Sequence, residues 1–119
     1  MREIKFRAWN EWADRNEMIY FSIDEPKAIE NTAWNAEIMQ YTGLKDKNGK
    51  EIYEGDILKV SKEYSGEFIP VLIRYFESEG AFKGSLVCNL NHTFFLNGIY
   101  STHNVIGNIY ENPELLEGN

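Results

Sequence analysis

Cys88 and His92 stand four positions apart in a Cys-x-x-x-His spacing, and His103 follows. One thiol and two imidazoles would offer three ligands for zinc, or a nucleophile with its base. A structural zinc site uses paired spacings that a single cysteine cannot supply, and Cys88 beside Leu86 and Val87 reads as a small buried hydrophobe. Carboxylates at Asp46, Glu51, Glu54 and Asp56 sit on adjacent turns, where convergence would create a non-standard cation site. The run Asp46-x-Asn48-Gly49 starts like a calcium loop, but its glycine comes too early and the position for the bidentate ligand is Ile57. Gly43 to Lys50 imitates a phosphate-binding loop with one residue too many between the glycines and Glu51 where Ser or Thr is needed. These residues read as solvated turns, with no metal and no cofactor expected. Gly-x-Ser-x-Gly, His-Glu-x-x-His and dinucleotide fingerprints are all absent, so a non-enzymatic protein is expected.

Aromatic residues make up 14% of the chain. Trp9, Trp12, Trp34, Tyr20, Tyr41, Tyr53, Tyr75 and Tyr110 exceed what a small core needs, so some must reach the surface as interface anchors. Near two of them lie Arg2, Lys5, Arg7 and Arg15, the one basic cluster interleaved with tryptophan. Arg7, Trp9, Trp12 and Arg15 are therefore the expected binding residues. Rigid aromatic area would meet planar guanidinium donors there, suited to carboxylates or phosphates.

The elements that must position these groups are short strands. Residues 2–9 alternate polar and apolar, which puts Ile4, Phe6 and Ala8 on one face of a half-buried strand. The polar string around Asp14-Arg15-Asn16 returns the chain into Met18–Phe21, completing a hairpin. Asp24 and Pro26 suit the start of a short helix or ordered loop with Ala28, Ile29 and Ala33 inward. A strand over 36–42 follows, then Asn48-Gly49, read as a type I′ turn with positive φ at both residues. Gly55 and Asp56 make a second tight turn. Ile57–Val60 and Val71–Phe76 are the strongest β-forming runs, joined at Ser65-Gly66 into a central hairpin, with Pro70 placed at an edge, bulge or strand start. Glu79-Gly80 and Gly84 bracket turns around Phe82 before a strand over Ser85–Cys88. The stretch 89–103 has no clear pattern. A last strand spans Asn104–Tyr110, and Asn112 caps a brief helix from Pro113 to Leu116.

The chain has 119 residues, 12 Lys+Arg against 19 Asp+Glu and a net charge of −7. That length predicts one domain over 1–119 whose core needs no disulfide. Residues 1–60 hold 9 basic and 12 acidic residues and 61–119 hold 3 and 7, with no Lys or Arg after Lys83. The acidic balance argues against a grip on nucleic-acid phosphates. No apolar run approaches a membrane span, and the charged start predicts the cytoplasm.

Met39–Val60, with Thr42-Gly43-Leu44-Lys45-Asp46-Lys47-Asn48-Gly49 and Ile52-Tyr53-Glu54-Gly55-Asp56 at its centre, resembles the YopX family of phage and prophage proteins. Ile4–Trp9 is similar to that family's opening and Val105–Leu116 to its C-terminal signature, in the same order. The resemblance implies a mainly β domain, a small antiparallel barrel or roll (SH3-like) with one or two short helices, encoded by phages of Gram-positive hosts. It implies no known activity and no catalytic residues. The expected function is a phage-encoded module in the host cytoplasm that binds a host or phage protein or forms a homo-oligomer. The alternatives are a weak nucleic-acid-binding accessory protein using the N-terminal Arg, Lys and Trp residues, and a small hydrolase of unrecognised type.

Overall fold

The computed structural model describes residues 3–25, 27, 30, 32, 35–61, 67–96 and 103–117. Nine strands follow in order among them: β1 Lys5–Glu11, β2 Asn16–Ser22, β3 Glu37–Lys45, β4 Glu51–Tyr53, β5 Asp56–Ser61, β6 Phe68–Phe76, β7 Ala81–Leu86, β8 Asn89–Phe95 and β9 Asn104–Asn108. They form a four-stranded sheet ordered β2-β1-β3-β4 and a five-stranded sheet ordered β8-β7-β6-β5-β9. All the pairings are antiparallel. The domain is thus the mainly β, barrel-or-roll architecture expected from its short strands and turns. A 3₁₀ turn, Pro113–Leu116, lies near the end of the described chain. The expected helix after Asp24 rests on Pro26, Ala28, Ile29 and Ala33, and the Ser65-Gly66 turn and Trp34 likewise lie outside the described residues.

The N-terminal hairpin forms as the alternation predicts, with Phe6 opposite Phe21 and Ala8 opposite Ile19. Its burial differs from the expectation of a half-buried strand. β1 is an inner strand, and Arg7, Ala8, Trp9 and Asn10 are all buried, so both faces are covered. The core lies between the sheets, where Ile52, Leu58, Ile73 and Leu96 pack with Leu44, Val60, Phe82 and Val105.

Three further expectations are corrected. Pro70 belongs to β6, an inner strand between β5 and β7, and not to an edge. Its carbonyl accepts from the Val87 N–H (3.1 Å) on the side where the β7 ladder has ended. A residue's N and O point to the same side of a strand, so the missing donor faces the end of the β7 ladder, where the Pro70–Val87 pair makes one bond in place of two, and leaves the β5 pairing untouched. Phe82 and Gly84 lie inside β7, not in turns. A Cβ at Gly84 would stand 2.7 Å from Val71 Cγ1, so this glycine serves close packing between strands. Asn112 occupies the position before Pro113 but makes no capping bond there; its Oδ1 accepts from Asn108 N–H (3.2 Å) instead.

Candidate functional site

The junction of the two sheets is built on Arg7. Its position opposite Tyr20 and Met39 in the ladders points it toward the large sheet, where Nη2 donates to Asp56 Oδ1 at 2.8 Å and to the Glu54 carbonyl at 3.1 Å. The guanidinium also lies over the Tyr53 ring, 4.8 Å from its centroid, and Asp56 Oδ2 accepts from the Tyr53 N–H at 2.7 Å. Both charged side chains are sealed, at 3% and 1% exposure. Burial pushes the Asp56 carboxyl above its ordinary range; the Arg7 charge and the Tyr53 N–H oppose that shift without cancelling it. Gly55, at φ +84°, makes the turn that brings these groups together, as expected of it. Its N–H donates to Ile73 O (2.9 Å) and its carbonyl accepts from Ile109 N–H (3.0 Å), so the turn stitches the sheets.

The four expected binding residues therefore separate into two pairs. Arg7 and Trp9 are buried, the latter stacked on Tyr110 with ring centroids 6.1 Å apart. Trp12 and Arg15 remain together at the hairpin tip, where Arg15 lies over the indole and pairs with Asp14 and Glu17. Trp12 Nε1 donates to the same Glu17 carboxylate at 2.8 Å. Those local acids neutralise the arginine, and the continuous Trp-Arg surface read from the sequence is not assembled. Lys5 is likewise held by Glu3 and Glu51, whose hydrogen bonds push its pKa up.

The turn before β4 also differs from the expected type I′. Gly49 has φ +83°, but no described residue other than glycine has positive φ, so Asn48 does not. Gly49 N–H donates to Asp46 O (3.0 Å), which centres the turn one residue earlier, on Lys47 and Asn48. Asp46 sets that register, since Oδ1 accepts from the N–H groups of Asn48 and Lys50 and Oδ2 from that of Val105. Burial raises the Asp46 pKa, yet these three donors and the Lys50 charge outweigh it and hold the carboxyl below its ordinary range.

The acidic set does not converge. Asp46 turns to Val105, Glu51 to Lys5, Glu54 Oε1 to the Gln40 N–H (2.9 Å) and Asp56 to Arg7. Among the described residues no three His, Cys, Asp or Glu side chains gather as a metal site. Cys88 is exposed in the β7–β8 turn, which corrects its reading as a core residue: the chain reverses at Val87-Cys88, beyond the sheet's packed face. His92 packs edge-on against Phe94 in β8, and the His103 carbonyl accepts from Lys47 N–H. A cleft of about 850 Å³ opens beside β2, lined by Tyr20, Phe21, Tyr53 and a mixture of both charge signs including Lys5, Glu25 and Glu51.

One surface escaped the sequence reading. Residues directly opposite in an antiparallel ladder share a face, and so do alternate residues of a strand. The register therefore gathers Ile57, Lys59, Phe68, Pro70, Leu72, Arg74, Phe76, Ala81, Lys83, Ser85, Thr93 and Phe95 on one side of the large sheet, where Ile57, Leu72, Lys83 and Ser85 are buried and Lys59, Phe68, Arg74 and Phe95 are exposed on the outer surface. Four of the seven cation–ring contacts among described residues lie here: Lys59 over Phe68 (4.1 Å), Arg74 and Lys83 over Phe76 (4.9 and 5.3 Å) and Lys83 over Phe95 (4.9 Å). Phe68 and Phe95 are nonetheless 58% and 59% exposed. Their partners lie far apart in sequence, so only the strand register reveals the pattern.

A two-sheet antiparallel domain, knit by one buried ion pair and presenting aromatic and cationic groups on a sheet surface, is the class that the geometry defines. The chain belongs to the YopX family: the model of that family, described as YopX protein, matches residues 12–117. Among solved structures it is similar to protein EF1440 from Enterococcus faecalis, at 30% identity and TM-score 0.57, covering 95% of this chain and 97% of that one. It shares its fold with protein yopX from Bacillus subtilis, at 18% identity and TM-score 0.51, covering 100% and 99%. No curated protein matches it. No helix among the described residues is long and apolar enough to cross a membrane.

Proposed function

We propose that the domain is a phage-encoded, cytoplasmic, non-enzymatic interaction module that assembles with copies of itself through the free edge of β8. The observation that carries this reading is the character of that edge. β8 has no strand partner on its outer side among the described residues, and its sequence Asn-Leu-Asn-His-Thr-Phe-Phe contains no Lys, Arg, Asp, Glu or Pro. Edge strands of monomeric proteins ordinarily carry such residues to prevent pairing. Leu90 is exposed on the same strand and would be covered by a second copy across a two-fold axis. An interaction role also accords with the dispersal of Cys88, His92 and the four carboxylates, which do not gather at one point.

The test is sedimentation velocity across a concentration series, comparing the protein with Asn91→Lys, which adds a charge to an exposed position of the edge. A dimer that the substitution converts to monomer supports the proposal. A strict monomer at high concentration, or a dimer indifferent to Asn91→Lys, overturns it.

A further inference from the structure

We infer that the outer face of the large sheet is a stacking platform for single-stranded nucleic acid, separate from the β8 edge through which the copies pair. The chain has 19 acidic residues and a net charge of −7. No Asp or Glu lies among the strand residues of this face, whereas Lys59, Arg74 and Lys83 do. Among the described residues carboxylates border it at its rims, with Glu67 before β6 and Glu77 and Glu79 in the β6–β7 turn, Glu79 being bound to Lys83 at 3.1 Å. The described acids thus stand off the strand residues of this surface, and neither Lys59 nor Arg74 forms an ion pair with a described carboxylate.

The aromatic groups choose among anionic partners. Lys59 occupies one side of the Phe68 ring and Lys83 one side of the Phe95 ring, while more than half of each residue remains open to solvent. A polyanion recognised by charge alone has no use for such rings; a strand of unpaired bases does, because every base presents a flat π-surface to stack. The spacing suits a strand. Phe95 lies opposite Lys83 and Lys83 opposite Arg74, so the two rings are offset by six residues of β6, roughly 20 Å. Lys59 stands beside Phe68 for a phosphate, and since Lys83 beside Phe95 is taken by Glu79, the exposed cation at that end is Arg74, two strands away on β6. Arg74 Nη1 is held across the face by Ser85 Oγ (3.3 Å) and the Leu90 carbonyl (3.5 Å). A duplex buries its bases against each other and offers no such stack.

Fluorescence anisotropy with a labelled oligothymidylate in 20 mM salt (about the low-salt regime in which phosphate contacts are strongest) tests this, with a duplex of equal length and polyglutamate as the other probes. Saturable binding to the single strand, weaker on the duplex, is expected, falling with salt at a slope of roughly −0.7 per phosphate contacted. Phe68→Ala and Phe95→Ala should each weaken it by roughly fivefold to a hundredfold. Arg74→Gln should make the salt slope shallower by about 0.7. Unchanged circular dichroism of these variants separates lost contact from lost fold. Absence of binding at low salt, equal affinity for duplex, or indifference to both Phe substitutions overturns the inference. Binding of polyglutamate equal to that of the oligonucleotide also overturns it, assigning the face to an acidic protein. Phe68 lies on β6, away from the β8 edge, so loss of strand binding in Phe68→Ala and loss of self-association in Asn91→Lys are read independently.

Discussion

Replacing Arg7 with methionine leaves the Asp56 carboxylate, 1% exposed, without its ion-pair partner at the junction of the sheets. Removing one member of a buried pair ordinarily costs about 3–5 kcal/mol, because the other charge stays desolvated. Arg7 Nε has no partner in the folded protein, a cost the substitution removes, so the loss is expected near the lower end, about 3 kcal/mol. That is a large part of the stability of a small domain. The sign of the pH dependence follows from the raised pKa of Asp56. Its contribution is fully present below the unfolded-state pKa and is lost as pH rises through the folded-state value. Without Arg7 that value rises further, so the deficit of Arg7→Met is greatest at neutral pH and shrinks toward pH 4, about where the unfolded carboxylate titrates. Urea denaturation at both pH values measures it, with the slope of unfolding free energy compared to confirm two-state behaviour. Asp56→Asn added to Arg7→Met removes the stranded charge but keeps an acceptor for Tyr53 N–H, and should recover more than half of the loss. If Arg7→Met does not fold, the double variant still should. An Arg7→Met protein as stable as the parent at pH 7, a deficit independent of pH, or no recovery in the double variant would refute this reasoning.

Gly49→Val, at φ +83°, should lower stability by about 1 kcal/mol or more despite open space around it, read as a shifted urea midpoint. Gly84→Ala brings a methyl against Val71 and Phe94 and should cost about 1–3 kcal/mol by overpacking, measured in the same way; a neutral result would mean that β7 can shift. Asp46 has the opposite sign to Asp56: its lowered pKa contributes stability above the unfolded value and loses it as pH falls through the folded one. Asp46→Asn should therefore flatten the acid limb of the stability profile, and an acid limb identical to the parent's would count against the three-donor cradle.

The strands whose partners are near in sequence were legible before any coordinates. Alternation in 2–9, the turn string at Asp14–Asn16 and the β-branched runs 57–60 and 71–76 carry their own instructions, because period and turn chemistry act over a few residues. Gly55 was legible for the same reason. The Asn48-Gly49 pair was misread because Asp46, accepting from Asn48, Lys50 and the distant Val105, moves the turn by one residue. Phe82 and Gly84 looked like turn residues because a glycine's need for close packing against Val71 is not a local property.

Composition and local pattern by themselves determined the class of fold, the count of strands being less important than their shortness and their turns. Burial was decided by tertiary structure alone. Arg7 appears on the polar phase of an alternating strand, where elementary patterning would leave it in water. It is buried because Gly55 delivers Asp56 and Tyr53 to it from 49 and 46 residues away in the chain. The outer face of the large sheet is the converse case: its cations and rings come from four strands and have no common spacing, and only the hydrogen-bonded register sets them side by side. Local sequence sets what each short segment prefers; long-range pairing decides which side chains share an interior or a surface, because that depends on residues the segment does not contain.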